Sequence, residues 1–206
     1  MSRALTSEGK KVFPRLKKFE GFYLAGGTAL AIQISHRISI DFDLFSPNEI
    51  EIGLLEKIAG VFAGRKIEAS VNNSDELTVF IDGVKITFLH YPFKVYSDFI
   101  EDNALKILTP KQIAYTKAYS IGRRGLYKDY VDLYFLLKND YISLEDIIQD
   151  CTKIYGEGFN DRLFLEQLVY MKDVEEIELE YLRDRTSKNE LEEYFRKEVE
   201  EFSRYA

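Results

Sequence analysis

Two stretches of this 206-residue chain decide its reading: Leu24-Ala-Gly-Gly-Thr-Ala-Leu30 and, a little further on, Ser39-Ile-Asp41-Phe-Asp43-Leu-Phe45. The apolar run from Phe22 to Ala25 stops at Gly26-Gly27, which predicts a strand running into a turn. Thr28 to Ile34 then predicts a helix with Thr28 near its N-terminus, and Ile38 to Phe45 predicts a second strand. Residues i and i+2 of a strand point to one face, about 6.5–7 Å apart, so Asp41 and Asp43 present two carboxylates side by side. Carboxylates held that close repel unless a cation lies between them. Hard oxygen ligands suit Mg²⁺, which takes one or two carboxylates and completes its octahedron with water and phosphate oxygens. The Gly-Gly turn supplies backbone that a phosphate can approach closely and a helix N-terminus with unpaired N–H groups. Alone, an Asp-x-Asp is commonly a polar strand end and a Gly-Gly-Thr a plain turn. In this order and this close together they predict a metal-nucleotide site, with Gly26, Gly27 and Thr28 at the phosphates.

Composition narrows the class around that site. Hydrophobic residues at 46% and charged residues at 31% exclude a disordered tail protein. Aromatics reach 14% without Trp, so Tyr and Phe must fill much of the core. Cys151 is the single cysteine, which rules out an internal disulfide or a multi-cysteine zinc site and suits a reducing cytosol. His36 and His90 are the only imidazoles, too few for a His-rich metal site. The charged start of the chain lacks an apolar signal core, and no stretch nears a membrane span; the expectation is a cytoplasmic protein with no membrane partner. Asp173 to Glu201 holds 12 acidic and 5 basic residues, which accounts for the whole net charge of −7. Two stretches run the other way. Arg3 to Lys18 carries six basic residues against Glu8 and reads as a solvated face, whereas Lys111 to Lys128 contains no acid at all.

The rest of the front half predicts a helix over residues 49–63 and two strands, Thr78–Ile81 and Val84–Leu89, around Asp82-Gly83, a strong hairpin signal. The back half predicts helices over 110–121, opened by Pro110, over 126–138, from Ser143 onward, over 161–171 and over 189–203. An α+β core over residues 1–105 followed by a helical region over 106–206 is the expected organisation. Lys128, Asp129 and Asp132 stand at i, i+1 and i+4, so Lys128 and Asp132 share a helical face with Asp129 beside it. With Lys117, Arg123 and Arg124 they offer either phosphate contacts or a plain helix staple. Cys151 reads as a core thiol, and Tyr115, Tyr119, Tyr127 and Tyr134 as core packing rather than base-stacking platforms.

Taken together, these motifs resemble the DNA polymerase β-like nucleotidyltransferase superfamily, and more closely its AbiEii/AbiGii-type toxin branch. The likeness covers most of the chain. It rests on Gly26-Gly-Thr-Ala-Leu30, on His36-Arg37-Ile-Ser39, on Asp41 and Asp43 followed by Leu-Phe, and on the run from Lys117 through Lys128-Asp129-Tyr-Val-Asp132-Leu-Tyr134. The resemblance implies a nucleotidyltransferase-type mixed sheet with flanking helices, followed by a helical C-terminal region. It implies transfer of a nucleoside monophosphate from an NTP to a hydroxyl, with Mg²⁺ or Mn²⁺ as cofactor. In some members the acceptor is the 3′ end of tRNA and a separate antitoxin restrains the enzyme. Carried onto this chain, the catalytic set is Asp41, Asp43, Lys117 and Asp129, with Asp41 and Asp43 as metal ligands. Arg37, Ser39, Arg123 and Lys128 join Gly26, Gly27 and Thr28 around the nucleotide.

One departure bears on activity. The superfamily places a third carboxylate on the strand beside the Asp-x-Asp strand. Two-residue hairpin register pairs Ile81 with Val84, Val79 with Ile86 and Thr78 with Thr87, which leaves Thr87, on the same face as Lys85, where that acid belongs. Asp129 or Asp132 from the helical half, or Glu76 from the hairpin, must replace it, or catalysis is lost; the resemblance favours Asp129. The rival to the enzyme is therefore an inert nucleotide- or partner-binding module on the same fold. A haloacid-dehalogenase-type phosphatase also uses Asp-x-Asp, but Leu44-Phe45 departs from that pattern.

Overall fold

The computed structural model describes residues 3–96, 99–102 and 104–205, and the chain divides into two units, Met1–Thr109 and Pro110–Ala206. The first unit carries strands β1 (Tyr23–Ala25), β2 (Phe42–Ser46), β3 (Ile67–Asn72), β4 (Glu76–Ile81), β5 (Val84–His90), β6 (Ile100–Asp102) and β7 (Leu105–Ile107). Its helices are α1 (Ser7–Val12), α2 (Gly26–Ile34) and α3 (Leu54–Val61). The strands form one mixed sheet in the order β3-β4-β5-β2-β1-β7-β6. With the helical second unit this is the α+β, mixed-sheet class that the sequence predicts.

Asp82 (φ 48°) and Gly83 (φ 86°) both turn left-handed, the two-residue geometry that matches strand twist. The turn sets Ile81 opposite Val84, Val79 opposite Ile86 and Thr78 opposite Thr87, the register read from sequence. Arg65 and the Lys66 N–H close on the Asp82 carboxylate at 2.7 and 3.0 Å. Alternation then divides the sheet. Leu24, Phe42, Leu44, Leu77, Val79, Ile86 and Phe88 are almost wholly buried on one face. There Phe19 meets Phe88 edge-on at 5.0 Å and stacks on Phe62 at 6.3 Å. Truncating a fully buried Phe such as Phe88 costs about 3–5 kcal/mol. The residues between them in sequence, Asp43 and Thr87 among them, occupy the other face.

Among the boundaries that differ from the sequence reading, three have a visible physical cause. β2 begins at Phe42 rather than Ile38, because Ser39 is bridged to Leu5 and its N–H bonds the Ala4 carbonyl at 2.9 Å. α2 begins at Gly26, so the two glycines form its first turn. α3 begins at Leu54: Gly53, at φ 100°, caps it, and the Ile50 N–H is taken by the Ser74 carbonyl at 2.8 Å.

The second unit is built from α4 (Pro110–Arg124), α5 (Tyr127–Lys138), α6 (Leu144–Tyr155), α7 (Asp161–Val169) and α8 (Lys188–Tyr205). Ser143 and Asn160 cap α6 and α7 through side-chain bonds to the N–H groups of Asp146 and Leu163. Tyr130 lies at the centre, fully buried, edge-on to Phe195 at 6.1 Å and donating to the Gln167 carbonyl at 3.1 Å. Leu191 and Phe195 seal α8 onto that core. Cys151 is fully buried in α6, with its thiol pushed up by desolvation. No helix among the described residues is long and apolar enough to cross a membrane.

Candidate active site

The carboxylates sit where β1, β2 and β5 run side by side. Ala25 pairs with Asp43 across the antiparallel β1–β2 ladder, and Asp43 pairs with Thr87 across the parallel β2–β5 ladder. Directly paired residues share a face, so Asp43, Thr87 and Thr78 form one row across three strands. The chain leaves β1 at Ala25 and enters α2 at Gly26, whose φ is 65°. A Cβ there would lie 2.1 Å from Asp43 Oδ2 and 3.0 Å from Cγ. Only glycine lets the start of α2 come against this carboxylate, and that start is the end of the helix dipole that favours anions.

Thr28 and Ser39 hold the Asp41 segment. The Thr28 hydroxyl lies 2.7 Å from Ser39 Oγ and bonds the Asp41 backbone carbonyl, and both hydroxyls are buried. Their side chains therefore shape the approach to β2, leaving the backbone of Gly26, Gly27 and Thr28 as the part that can meet phosphate. Arg37 is also buried, with Nη1 donating to the Ile38 carbonyl at 3.1 Å. Asp41 and Asp43 are half-buried. Among the described residues no three His, Cys, Asp or Glu side chains gather into a closed metal cage. An open pair is what Mg²⁺ needs, since it keeps several waters and takes substrate phosphates as ligands. The donor set and the glycine-lined contact at Asp43 fit a divalent cation.

Beyond Thr87 the row continues into a short polar chain. Thr78 Oγ1 lies 2.6 Å from Glu76 Oε1 and 3.2 Å from Thr87 Oγ1. Thr78 is 2% and Thr87 9% exposed. An ionised carboxylate only accepts and each hydroxyl has one hydrogen. Thr78 thus gives its hydrogen to Glu76, and Thr87 gives its own to Thr78. The sequence signal for this was a threonine at both positions of one cross-strand pair, with an acid two residues before the first.

In the second unit, α4 and α5 bring three buried charges together. Lys117 Nζ lies 2.7 Å from Asp129 Oδ1 and 2.7 Å from Asp132 Oδ2, and all three side chains are at most 6% exposed. Asp129 Oδ2 has no hydrogen-bond partner among the described residues, with Arg124 Nη2 4.0 Å away. Burial, then the Asp129 charge, pushes the neighbouring Tyr130 phenol up to about 12. The sequence grouped Asp132 with Lys128; the hairpin of two helices instead delivers Lys117 to it. Arg123, expected among phosphate contacts, has a structural task. Its Nη2 donates to the Gly158 carbonyl at 2.6 Å and its guanidinium covers the Tyr119 ring at 3.6 Å. Lys128 is half-buried on α5. With Lys117 buried and Arg123 engaged, the acid-free stretch from Lys111 to Lys128 is a thinner positive surface than its sequence suggested.

A separate cavity of about 670 Å³ opens at the far end of β1, lined by Phe22, Tyr23, Phe93, Phe99, Lys94 and Lys106. None of the carboxylates above line it.

Comparison with known proteins agrees with this geometry. The crystal structure of an H. pylori protein provisionally assigned as a nucleotidyltransferase superposes with a TM-score of 0.57 at 15% identity, covering 100% of this chain and 99% of that one. JHP933 from Helicobacter pylori gives 0.51 at 14% identity, with coverage of 98% and 97%. At such identities the likeness is one of fold. In sequence, an uncharacterised Aquifex aeolicus protein is 31% identical over 183 residues, 88% of this chain and 87% of that one. The family model described as nucleotidyl transferase AbiEii toxin, type IV TA system, matches residues 11–206. That match takes in the glycine turn, the paired aspartates and the buried lysine cluster alike, and the chain belongs to the AbiEii nucleotidyltransferase toxin family.

Proposed function

We propose that this chain transfers a nucleoside monophosphate from an NTP to a hydroxyl at an RNA 3′ end, in the cytoplasm, as the toxin of a toxin–antitoxin pair. The observation that carries the reading is the close approach of Gly26 to Asp43, which supports one site made of the glycine turn and the carboxylate pair. Asp41 and Asp43 are the residues that would hold a divalent cation, whose chemistry there is to neutralise the triphosphate. The N–H groups of Gly26, Gly27 and Thr28 take phosphate oxygens at the positive end of α2. In the helical unit Lys117, paired with Asp129 and Asp132, belongs to the catalytic set that the family resemblance implies. The acceptor oxygen attacks the α-phosphorus in line and pyrophosphate leaves. Positioning and charge neutralisation supply the rate, without a covalent enzyme intermediate.

The test is calorimetric titration of each NTP with and without Mg²⁺, followed by incubation with labelled NTP and total tRNA. Asp41→Asn and Asp43→Asn should each abolish Mg²⁺-dependent binding while leaving the circular dichroism spectrum unchanged. Labelled RNA, with steep weakening by salt, supports the acceptor. Label on protein would replace RNA with a side-chain hydroxyl, and unchanged binding in both variants would refute the site. The inert-module reading draws on Thr87, which stands beside Asp43; it predicts nucleotide binding with no transfer to any acceptor.

A further inference from the structure

We propose that Thr87, Thr78 and Glu76 form a proton relay that does the work of the third carboxylate. The proposal rests on the nucleotidyl-transfer reading above and concerns where the acceptor's proton goes. A threonine beside Asp43 is no base by itself near neutral pH. Here, however, it is the first member of a chain that ends on a carboxylate. Thr78 Oγ1 stands 3.2 Å from Thr87 Oγ1 and 2.6 Å from Glu76 Oε1, within a sheet whose register is fixed by the Asp82-Gly83 turn on one side and by five consecutive β2–β5 pairs on the other. With both hydrogens committed toward Glu76, Thr87 Oγ1 keeps a lone pair for a further donor, on a residue that pairs with Asp43. It can accept one proton only by passing on its own.

The step balances as follows. The acceptor hydroxyl gives its proton to Thr87 Oγ1 as its oxygen forms the new bond to the α-phosphorus. The Thr87 hydrogen moves to Thr78 Oγ1, and the Thr78 hydrogen moves to Glu76 Oε1. The bond between the α-phosphorus and the bridging oxygen breaks, and pyrophosphate carries away its electron pair. Glu76 ends protonated and returns its proton to solvent from its half-buried position at the start of β4. Thr87 is thus the residue that touches the acceptor, while Glu76 acts through the two hydroxyls. An aspartate at position 87 would do the same work in one step. The relay places the negative charge two strands away from Asp43, which lowers repulsion at the carboxylate pair.

The charged groups around Glu76 in the first unit are few. On the same face, β2 offers Asp43, with Asp41 just before the strand, β5 offers Lys85, and β3 offers Glu68, itself paired with Lys66 at 2.5 Å. Asp75, just before β4, and His90, at the end of β5, pair with each other at 3.2 Å.

The experiment compares Glu76→Gln, Thr78→Val, Thr78→Ser, Thr87→Val and Thr87→Ser in single-turnover transfer from pH 5 to 9, with NTP affinity measured by calorimetry. Glu76→Gln and the two valine variants should lose at least the ~10²-fold typical of a positioned proton-transfer group, in turnover and not in KM. Their acid limb should flatten. The serine variants, which keep the hydroxyl, should run at least tenfold faster than their valine counterparts. Mg²⁺-dependent NTP affinity should stay within twofold throughout, which also certifies folding. An active wild type with Glu76→Gln at full rate and unaltered pH profile overturns the relay alone, as do serine variants no better than valine. A wild type that transfers to no acceptor, with binding indifferent to Asp43→Asn, overturns the nucleotidyl-transfer reading and the relay with it.

Discussion

Gly26→Ala tests the geometry of the site without touching a charged group. Two costs follow from the structure. The residue sits at φ 65°, where a side chain on an L-residue costs about 1–2 kcal/mol. The new methyl would also fall 2.1 Å from Asp43 Oδ2, 3.0 Å from Cγ and 3.2 Å from Cβ. Relieving the first two contacts takes Asp43 out of its rotamer at about 0.5–1.5 kcal/mol, while the third, to Cβ, is left for a small backbone shift. Stiffening the unfolded chain returns about 0.4–1 kcal/mol. The net loss should be about 0.5–3 kcal/mol.

Urea denaturation followed by far-ultraviolet circular dichroism at a constant m-value measures it. Repeating Gly26→Ala in an Asp43→Ala background removes Oδ2 and Cγ. The backbone term should remain while about 0.5–1.5 kcal/mol of the penalty disappears as coupling. In the Asp43 background the displaced carboxylate should also weaken Mg²⁺-dependent NTP binding at least tenfold. A penalty identical in both backgrounds to within about 0.3 kcal/mol, with nucleotide affinity intact, would refute the close approach of α2 to Asp43.

Lys117→Ala should destabilise the chain by about 3–5 kcal/mol, because it strands two buried carboxylates; adding Asp129→Asn and Asp132→Asn should recover part of that in urea midpoints, and no recovery would mean that the lysine is held for other reasons. Tyr115→Phe probes pH dependence. The Tyr115 hydroxyl, ahead of Lys153 and Lys111, holds the Asp150 carboxyl below the usual carboxylate range. A depressed folded pKa gives stability that is present above the unfolded value near 3.9 and lost as pH falls through the folded one. The variant should therefore lose about 1 kcal/mol at pH 7 and progressively less below about pH 4, and an equal loss at pH 7 and pH 3 would contradict the assignment.

What was legible in the sequence was local. The strand, glycine turn, helix and aspartate pair span Tyr23 to Asp43, and each step has its own short-range signal. The Asp82-Gly83 turn fixed a hairpin register by geometry alone. The unread parts lack such signals. β3 is an edge strand with mostly exposed residues and a bulge between Ala69 and Val71, so no apolar alternation marks it. β6 and β7 are three residues each, too short to show a period. Ile38 to Phe45 does alternate, yet Ile40 is 58% exposed, because Ala4, Leu5 and Thr28 claim the segment before β2 can begin.

The same division runs through the chemistry. Helical spacing relates Asp132 to Lys128, four residues back, but it is a lysine fifteen residues back on the preceding helix that bonds it, and only the helix hairpin puts Lys117 there. Likewise the turn alone places Thr78 across from Thr87, while the parallel pairing of β2 with β5, which no local signal announces, decides that Thr87 neighbours Asp43. Once that pairing is known, threonine at position 87 changes meaning. Read along the sequence, it is a missing acid. Read across the sheet, it is the near end of a hydrogen-bonded row whose far end is the carboxylate of Glu76. On the proposed relay, a sheet face keeps a proton acceptor in reach after the residue at the expected position has lost its charge, and loss of a motif acid need not mean loss of the reaction.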